Sequence, residues 1–314
     1  MNLQEIAATT FKNCMGLKSS EVVLVVTDTP LYNLGKYFFE AAVSLGAEVQ
    51  HINFLPRNNN GEEPPVTVAE AMKAADVVLL ITSKSLSHTQ ARKKANVSGT
   101  RVASMPGLTE EMMRRTLAIN YLEIQEQCSY LEKILTQGQS VGLTTEQGTD
   151  ITFSIKGRTG QIDGGIYTEP GAFGNLPAGE VYIAPVEGTA EGKIVIDGSM
   201  AAVGMLDKPL VIQVKRGLAL DAKGPSADII NNIFYKYGEK SRNVAELGIG
   251  VHPKAKLSGF ILEDEKIKGT VHLALGDNSN FGGEVQVASH LDGVILKPTL
   301  KVDGKAIIIA GRWL

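Results

Sequence analysis

The chain has 314 residues and a mass of 33.6 kDa, enough for one large or two ordinary cores, and its 43% hydrophobic and 21% charged residues exclude a disordered chain. A net charge of -3 and a pI near 6.0, with acids and bases interspersed, exclude the basic stripe that binds nucleic acid. No apolar run reaches the roughly 20 residues that span a bilayer, and Met1 to Phe11 carries Glu5 without the basic and apolar regions of a signal peptide, so a cytoplasmic protein with neither nucleic acid nor membrane as partner is expected.

The chain opens on alternating strand and helix signals. Val22 to Val26 is a continuous apolar run, Leu31 to Leu45 has helical spacing and Glu48 to Phe54 alternates, which reads as a βαβ unit. A helical stretch around Val68 to Ala75 leads into a second buried-strand run, Val77 to Thr82. Arg101 to Ser104 begins another strand before the turn at Pro106-Gly107, and Glu110 to Leu135 has the pattern of one long amphipathic helix. These elements predict a small open parallel sheet with helices on both faces, flavodoxin-like or Rossmann-like in outline. The turn after the first strand, Thr27-Asp28-Thr29-Pro30, lacks the glycines that let a backbone approach a pyrophosphate, and no Walker A sequence occurs. A nucleotide is therefore not the expected ligand.

Glycine usage changes near residue 138, with 7 of the 33 glycines up to that point and 26 beyond it. A boundary is expected there, giving an α/β domain over residues 1–138 and a β-rich α+β domain over residues 139–314. Short strands are predicted at Ile151 to Ile155, Glu180 to Ala184, Gly192 to Asp197, Leu210 to Lys215, Thr270 to Leu275 and Ala306 to Ala310, between glycine and asparagine turns.

Cys14 and Cys128 are the only cysteines and lie far apart, which argues against a structural disulfide and leaves no thiolate metal site. Any metal must use oxygen and imidazole donors, which points to Zn, Mn, Co or Fe(II). In Ser289-His290-Leu291-Asp292, an extended backbone would aim His290 and Asp292 at the same face, where both can address one ion; a surface histidine beside a solvated aspartate is the plainer reading. His272 lies in an apolar strand that ends at Gly276, as either a ligand or a satisfied core histidine. Glu180 and Glu246 stand in apolar surroundings, where a buried carboxylate needs a cation or a proton, although Glu180 at a strand start and Glu246 at a turn also fit exposed positions. Metal ligation accounts for all five groups at once. His88 and Arg92, beyond the carboxyl end of the Val77 to Thr82 strand, are candidate substrate contacts together with Ser289, with Lys93 the alternative to Arg92 and a solvated basic helix start the plainer reading. His51 and His252 are expected at the surface.

In chain order, Asn175-Leu176-Pro177-Ala178-Gly179-Glu180-Val181, Asn243-Val244-Ala245-Glu246-Leu247-Gly248, His272-Leu273-Ala274-Leu275-Gly276 and Ser289-His290-Leu291-Asp292 resemble the metallo-aminopeptidases of the aminopeptidase T group. Ser85 to Lys93 and Thr189-Ala190-Glu191-Gly192 resemble them too. The resemblance implies Glu180, Glu246, His272, His290 and Asp292 as ligands of one or two divalent ions (Zn, Co or Mn), with Glu180 and Glu246 catalytic, Glu246 or Asp292 shared between ions, and water activated to attack the amide carbonyl of a small peptide or peptide-like substrate. It also implies a homodimer. The chain departs from these peptidases in the turn Gly276-Asp277-Asn278-Ser279-Asn280-Phe281, which lacks their tyrosine. A related branch, the ring-cleaving dihydroxypyridine dioxygenases of the NicX type, is similar as well and implies a single Fe(II) on His272, His290 and Asp292, leaving positions for a chelating substrate and O₂. An amide hydrolase is the leading expectation, with the Fe(II) dioxygenase and an inactive member of the fold as alternatives.

Overall fold

A computed structural model describes residues 1–314. The first compact unit comprises residues 1–125 and 163–178, and the second residues 126–162 and 179–314. The chain thus crosses between units inside the helix Tyr121–Gln137 and returns to the first for a short excursion. The expected single boundary at residue 138 does not describe this division.

The first unit is built on a parallel sheet in the spatial order Glu48–Phe54, Val22–Asp28, Val77–Ile81, Arg101–Ser104, Phe173–Asn175. This is the flavodoxin-type order, with its last strand supplied by the excursion. Val77–Ile81 is apolar at every position and wholly buried, as a strand covered on both faces requires; each such side chain contributes roughly 1.5–3 kcal/mol through burial. Glu48–Phe54 alternates between exposed and half-buried residues because it is the sheet edge. On one face Met72 from the helix Val66–Ala74 and Ala91 and Ala95 from Gln90–Val97 pack with Val26, Leu80 and Val102. Thr89 caps Gln90–Val97 by accepting a hydrogen bond from the Arg92 N–H at 3.2 Å.

The long helix expected over Glu110 to Leu135 is interrupted. A short turn at Glu110–Met112 and a wider one at Met113–Leu117 precede Tyr121–Gln137. Asn120 stops and restarts the chain, since its side-chain oxygen accepts from the Leu122 N–H at 3.1 Å.

The second unit is rich in antiparallel structure. One sheet of eight strands includes Glu191–Ile196, Asp150–Ser154, Ser140–Thr144 and Thr299–Val302 in adjacent positions. The other, of seven, has at its centre Ser199–Met200, His290–Ile295, Val271–Gly276, Val244–Gly250 and Glu180–Ile183, in that order. The two sheets meet at Gly293, where an added Cβ would come within 2.4 Å of Ile196 Cδ1. A parallel α/β sheet followed by a β-rich remainder is the predicted fold class. No helix is long and apolar enough to cross a membrane.

Candidate metal centre

The predicted ligands all lie in the second unit, on neighbouring strands of the seven-stranded sheet. His272 and Ala274 share a strand face, as do His290 and Asp292, because alternate residues project to the same side. Across the ladder Ala274 pairs with Glu246 on one side and Asp292 on the other. Every functional side chain faces a small residue on an adjacent strand: Glu246 and Asp292 face Ala274, His272 faces Gly248, Glu180 faces Gly250 and His290 faces Gly276. The small partners clear the space into which five polar side chains converge.

The Glu246 carboxylate lies between the two imidazoles, with Oε1 3.1 Å from His272 Nε2 and Oε2 3.4 Å from His290 Nε2. His290 Nε2 is also 3.1 Å from Asp292 Oδ1, and His272 Nε2 is 3.6 Å from Glu180 Oε2. His290 Nδ1 lies 2.8 Å from the carbonyl oxygen of Asp277, which makes that nitrogen a donor and turns Nε2 toward the carboxylates, where it can hold a proton or, without one, offer its lone pair to a metal. His272 is buried and its Nδ1 has no hydrogen-bond partner. Phe281, in the turn that lacks the peptidase tyrosine, stands edge-on to His290, with centroids 6.1 Å apart, and to Tyr182 at 5.4 Å.

Two further residues belong to the cluster and were not anticipated. Lys266 is fully buried, and its Nζ donates to Glu180 Oε1 at 2.5 Å and to Glu265 Oε1 at 2.6 Å. In the sequence both stand in the charged run Glu263-Asp264-Glu265-Lys266, which carries no local signal of burial. The fold buries it: Glu263 and Asp264 accept hydrogen bonds from the backbone N–H groups of Lys256, Ser258 and Gly259. His252, expected at the surface, is buried for the same purpose, its Nδ1 accepting from the N–H groups of Lys254 and Ala255. His51 is likewise half-buried, stacked on Tyr32 and hydrogen-bonded to Thr27 at 2.8 Å.

The charges are unbalanced, with four carboxylates (Glu180, Glu246, Glu265, Asp292) against one ammonium. Burial alone would neutralise such acids, and it carries Glu265 up to about 8 with help from Glu180 and Asp292, against the pull of Lys266. For Glu246 burial is outweighed by hydrogen bonds from His272 and His290, which hold the carboxyl below its ordinary value, and Asp292 is held down by the same imidazoles. Burial opposes charge on the imidazoles too. The carboxylates nonetheless lift His272 to about 9 and His290 well above its ordinary value. Protons on the two rings are thus the protein's own answer to an excess of negative charge, and a divalent cation answers it equally well. The donor set fits such an ion, because oxygen and imidazole donors fall into two groups, Glu246, His290 and Asp292 in one and Glu180, Glu265 and His272 in the other, each with its atoms within 4.8 Å of one another.

Arg92 belongs to the first unit, where its Nε donates to the Ser87 carbonyl at 2.6 Å, an NH group donates to Asn96 and the guanidinium lies 4.0 Å over the Phe173 ring. His88 is exposed in the same unit. Ser289 adjoins the cluster, and its buried hydroxyl oxygen has no hydrogen-bond partner.

A family model described as "NicX: 2,5-dihydroxypyridine 5,6-dioxygenase" matches residues 2–314. The chain belongs to this dioxygenase family. A curated 2,5-dihydroxypyridine 5,6-dioxygenase from Pseudomonas putida strain KT2440 is 23% identical over 269 residues, covering 77% of this chain and 71% of that protein. The solved 2,5-dihydroxypyridine dioxygenase of Pseudomonas putida KT2440 superposes with a TM-score of 0.84 at 18% identity, over 99% of this chain and 96% of the other. Wild-type AmpT from Thermus thermophilus superposes with a TM-score of 0.74 at 18% identity, over 99% and 98%. The dioxygenase-family chain therefore keeps the fold of both branches that its motifs resemble. Family membership favours the ring-cleaving alternative over the leading hydrolase expectation, for which the likeness to AmpT speaks at the level of fold.

Proposed function

We propose that this protein is a mononuclear Fe(II) dioxygenase that opens the ring of a planar dihydroxylated N-heterocycle of the 2,5-dihydroxypyridine class. The observation that carries the reading is the convergence of His290, Asp292 and His272 around Glu246 in a chain whose whole length matches the dioxygenase family. Two imidazoles and one carboxylate are the donors that Fe(II) oxygenases use, and they leave coordination positions open. When bound, Fe(II) supplies the means to bring O₂ and a chelating substrate into reaction. The remaining work belongs to the protein. Asp277, through its carbonyl oxygen, orients His290, Glu246 ties the two rings together, and Phe281 with Tyr182 offers an aromatic wall beside His290 against which a flat ring can lie.

The test is oxygen uptake by protein prepared anaerobically and reconstituted with Fe(II), with 2,5-dihydroxypyridine as substrate. One O₂ consumed per ring lost, abolished in His290→Ala, is the expected result. Substrate-independent oxygen traces with the metal bound would reject the reading. Release of p-nitroaniline from an aminoacyl anilide by Zn-, Co- or Mn-loaded protein would instead favour the amide hydrolase, the second reading, which the presence of two donor groups and the AmpT-like fold support.

A further inference from the structure

Of the two donor groups, only one is open to a metal. In the other, Glu180, Glu265 and His272, both carboxylates are taken by the Lys266 ammonium, 2.5 and 2.6 Å away, while His272 Nε2 also lies 3.1 Å from Glu246 in the open group. We propose that Lys266 is a resident cation that restricts the cluster to one divalent ion, held where His272, His290 and Asp292 converge around Glu246. The inference rests on the reading of this cluster as a metal site.

An ammonium has three N–H donors and no lone pair, so Lys266 cannot join a coordination shell and repels any ion that approaches its two carboxylates. Nor is it free to swing aside. The residue is fully buried, its carbonyl oxygen accepts from the His252 N–H at 2.8 Å and its N–H donates to Glu263 at 3.0 Å. Its approach depends on Gly250, where a Cβ would come within 2.2 Å of the Ile267 carbonyl oxygen. The Glu263-Asp264 turn and buried His252 shape the preceding loop, and their combined effect is to deliver one cation to one place.

The experiment is a titration of the full, metal-stripped chain with Mn²⁺ in tenfold excess, read by native mass spectrometry and by electron paramagnetic resonance. One ion per wild-type chain with the six-line spectrum of isolated Mn²⁺ is expected, one per chain in Lys266→Arg, and two spin-coupled ions in Lys266→Met. Two ions in the wild type, or one in a folded Lys266→Met, overturns the role of Lys266 while leaving the metal site intact. No ion in the wild type overturns the metal reading itself. Should Lys266→Met fail to fold, Lys266→Gln poses the same question with a hydrogen-bonding neutral side chain, and the wild-type count alone can refute the proposal.

Discussion

Gly248 and His272 face each other across two strands, and the imidazole lies directly over the glycine: a Cβ on residue 248 would stand 2.0 Å from both Cε1 and Nε2 of the ring. The backbone there is compatible with any residue, so the demand is one of space. Gly248→Ala is expected to push the ring away from Glu246, to destabilise the fold by about 1–3 kcal/mol, as overpacking in a buried site does, and to lower metal occupancy at saturating Mn²⁺. Denaturant unfolding and metal analysis measure the two effects, and an alanine variant with unchanged metal content would show that the ring position is not needed. The strands Glu180–Ile183 and Val271–Gly276 are visible in the sequence, and so is His272, because a polar residue in an apolar run is conspicuous, while His290 and Asp292 stand out by their alternate spacing. The reverse case is hidden. Glu265 and Lys266 occupy a charged run that has every local mark of a solvent-facing loop, and only the return of that loop beneath Gly250 converts them into buried partners of Glu180.

The segment between the strands Val271–Gly276 and His290–Ile295 carries Phe281 to the cluster and is held there by a set of polar bonds. Asn278 is buried and donates to Glu187 at 2.8 Å, Asp277 accepts from the Val287 N–H at 2.9 Å, and Arg158 reaches both the Gly282 carbonyl and the Glu187 carboxylate. Arg158→Ala is expected to loosen this segment, raising the KM for the ring substrate several-fold with little change in global stability, and to open Asn280–Gly283 to limited proteolysis. Resistance equal to wild type would place the restraint elsewhere. Burial raises the Glu187 carboxyl, but hydrogen bonds from the Glu284 N–H and Asn278, with the charge of Arg158, prevail and hold it below its ordinary 4.5. The folded value is depressed, so the restraint is complete above pH 4.5 and is lost as acid drives the pH down through the folded value. At this scale the sequence is partly legible. The strands Val22–Asp28 and Val77–Ile81 announce themselves by continuous apolar runs, whereas Val244–Gly250 does not, because Gly248 and Gly250 interrupt it. Those interruptions have a cause: glycine in a strand marks the close approach of something else, here His272 and the Lys266 loop.

The first unit is not continuous in the chain, since its fifth strand, Phe173–Asn175, follows a passage through the second unit. A chain ended at Gly138 contains the four preceding strands but leaves the wholly buried Arg101–Ser104 as an edge. Such a fragment is expected to associate or to lack a cooperative unfolding transition, because an unpaired strand edge is a template for other chains. A monomeric fragment with a sharp transition would disprove this. The composition shift at residue 138 cannot show that residues 163–178 return to the earlier sheet, which is a property of topology. That return also sets a timetable for synthesis. Roughly 70 residues separate the fourth strand from the fifth, about 4–14 s at translation rates of 5–20 residues per second. Throughout that interval the nascent sheet has an open side, which makes this stretch of translation the period when a chaperone has most to protect.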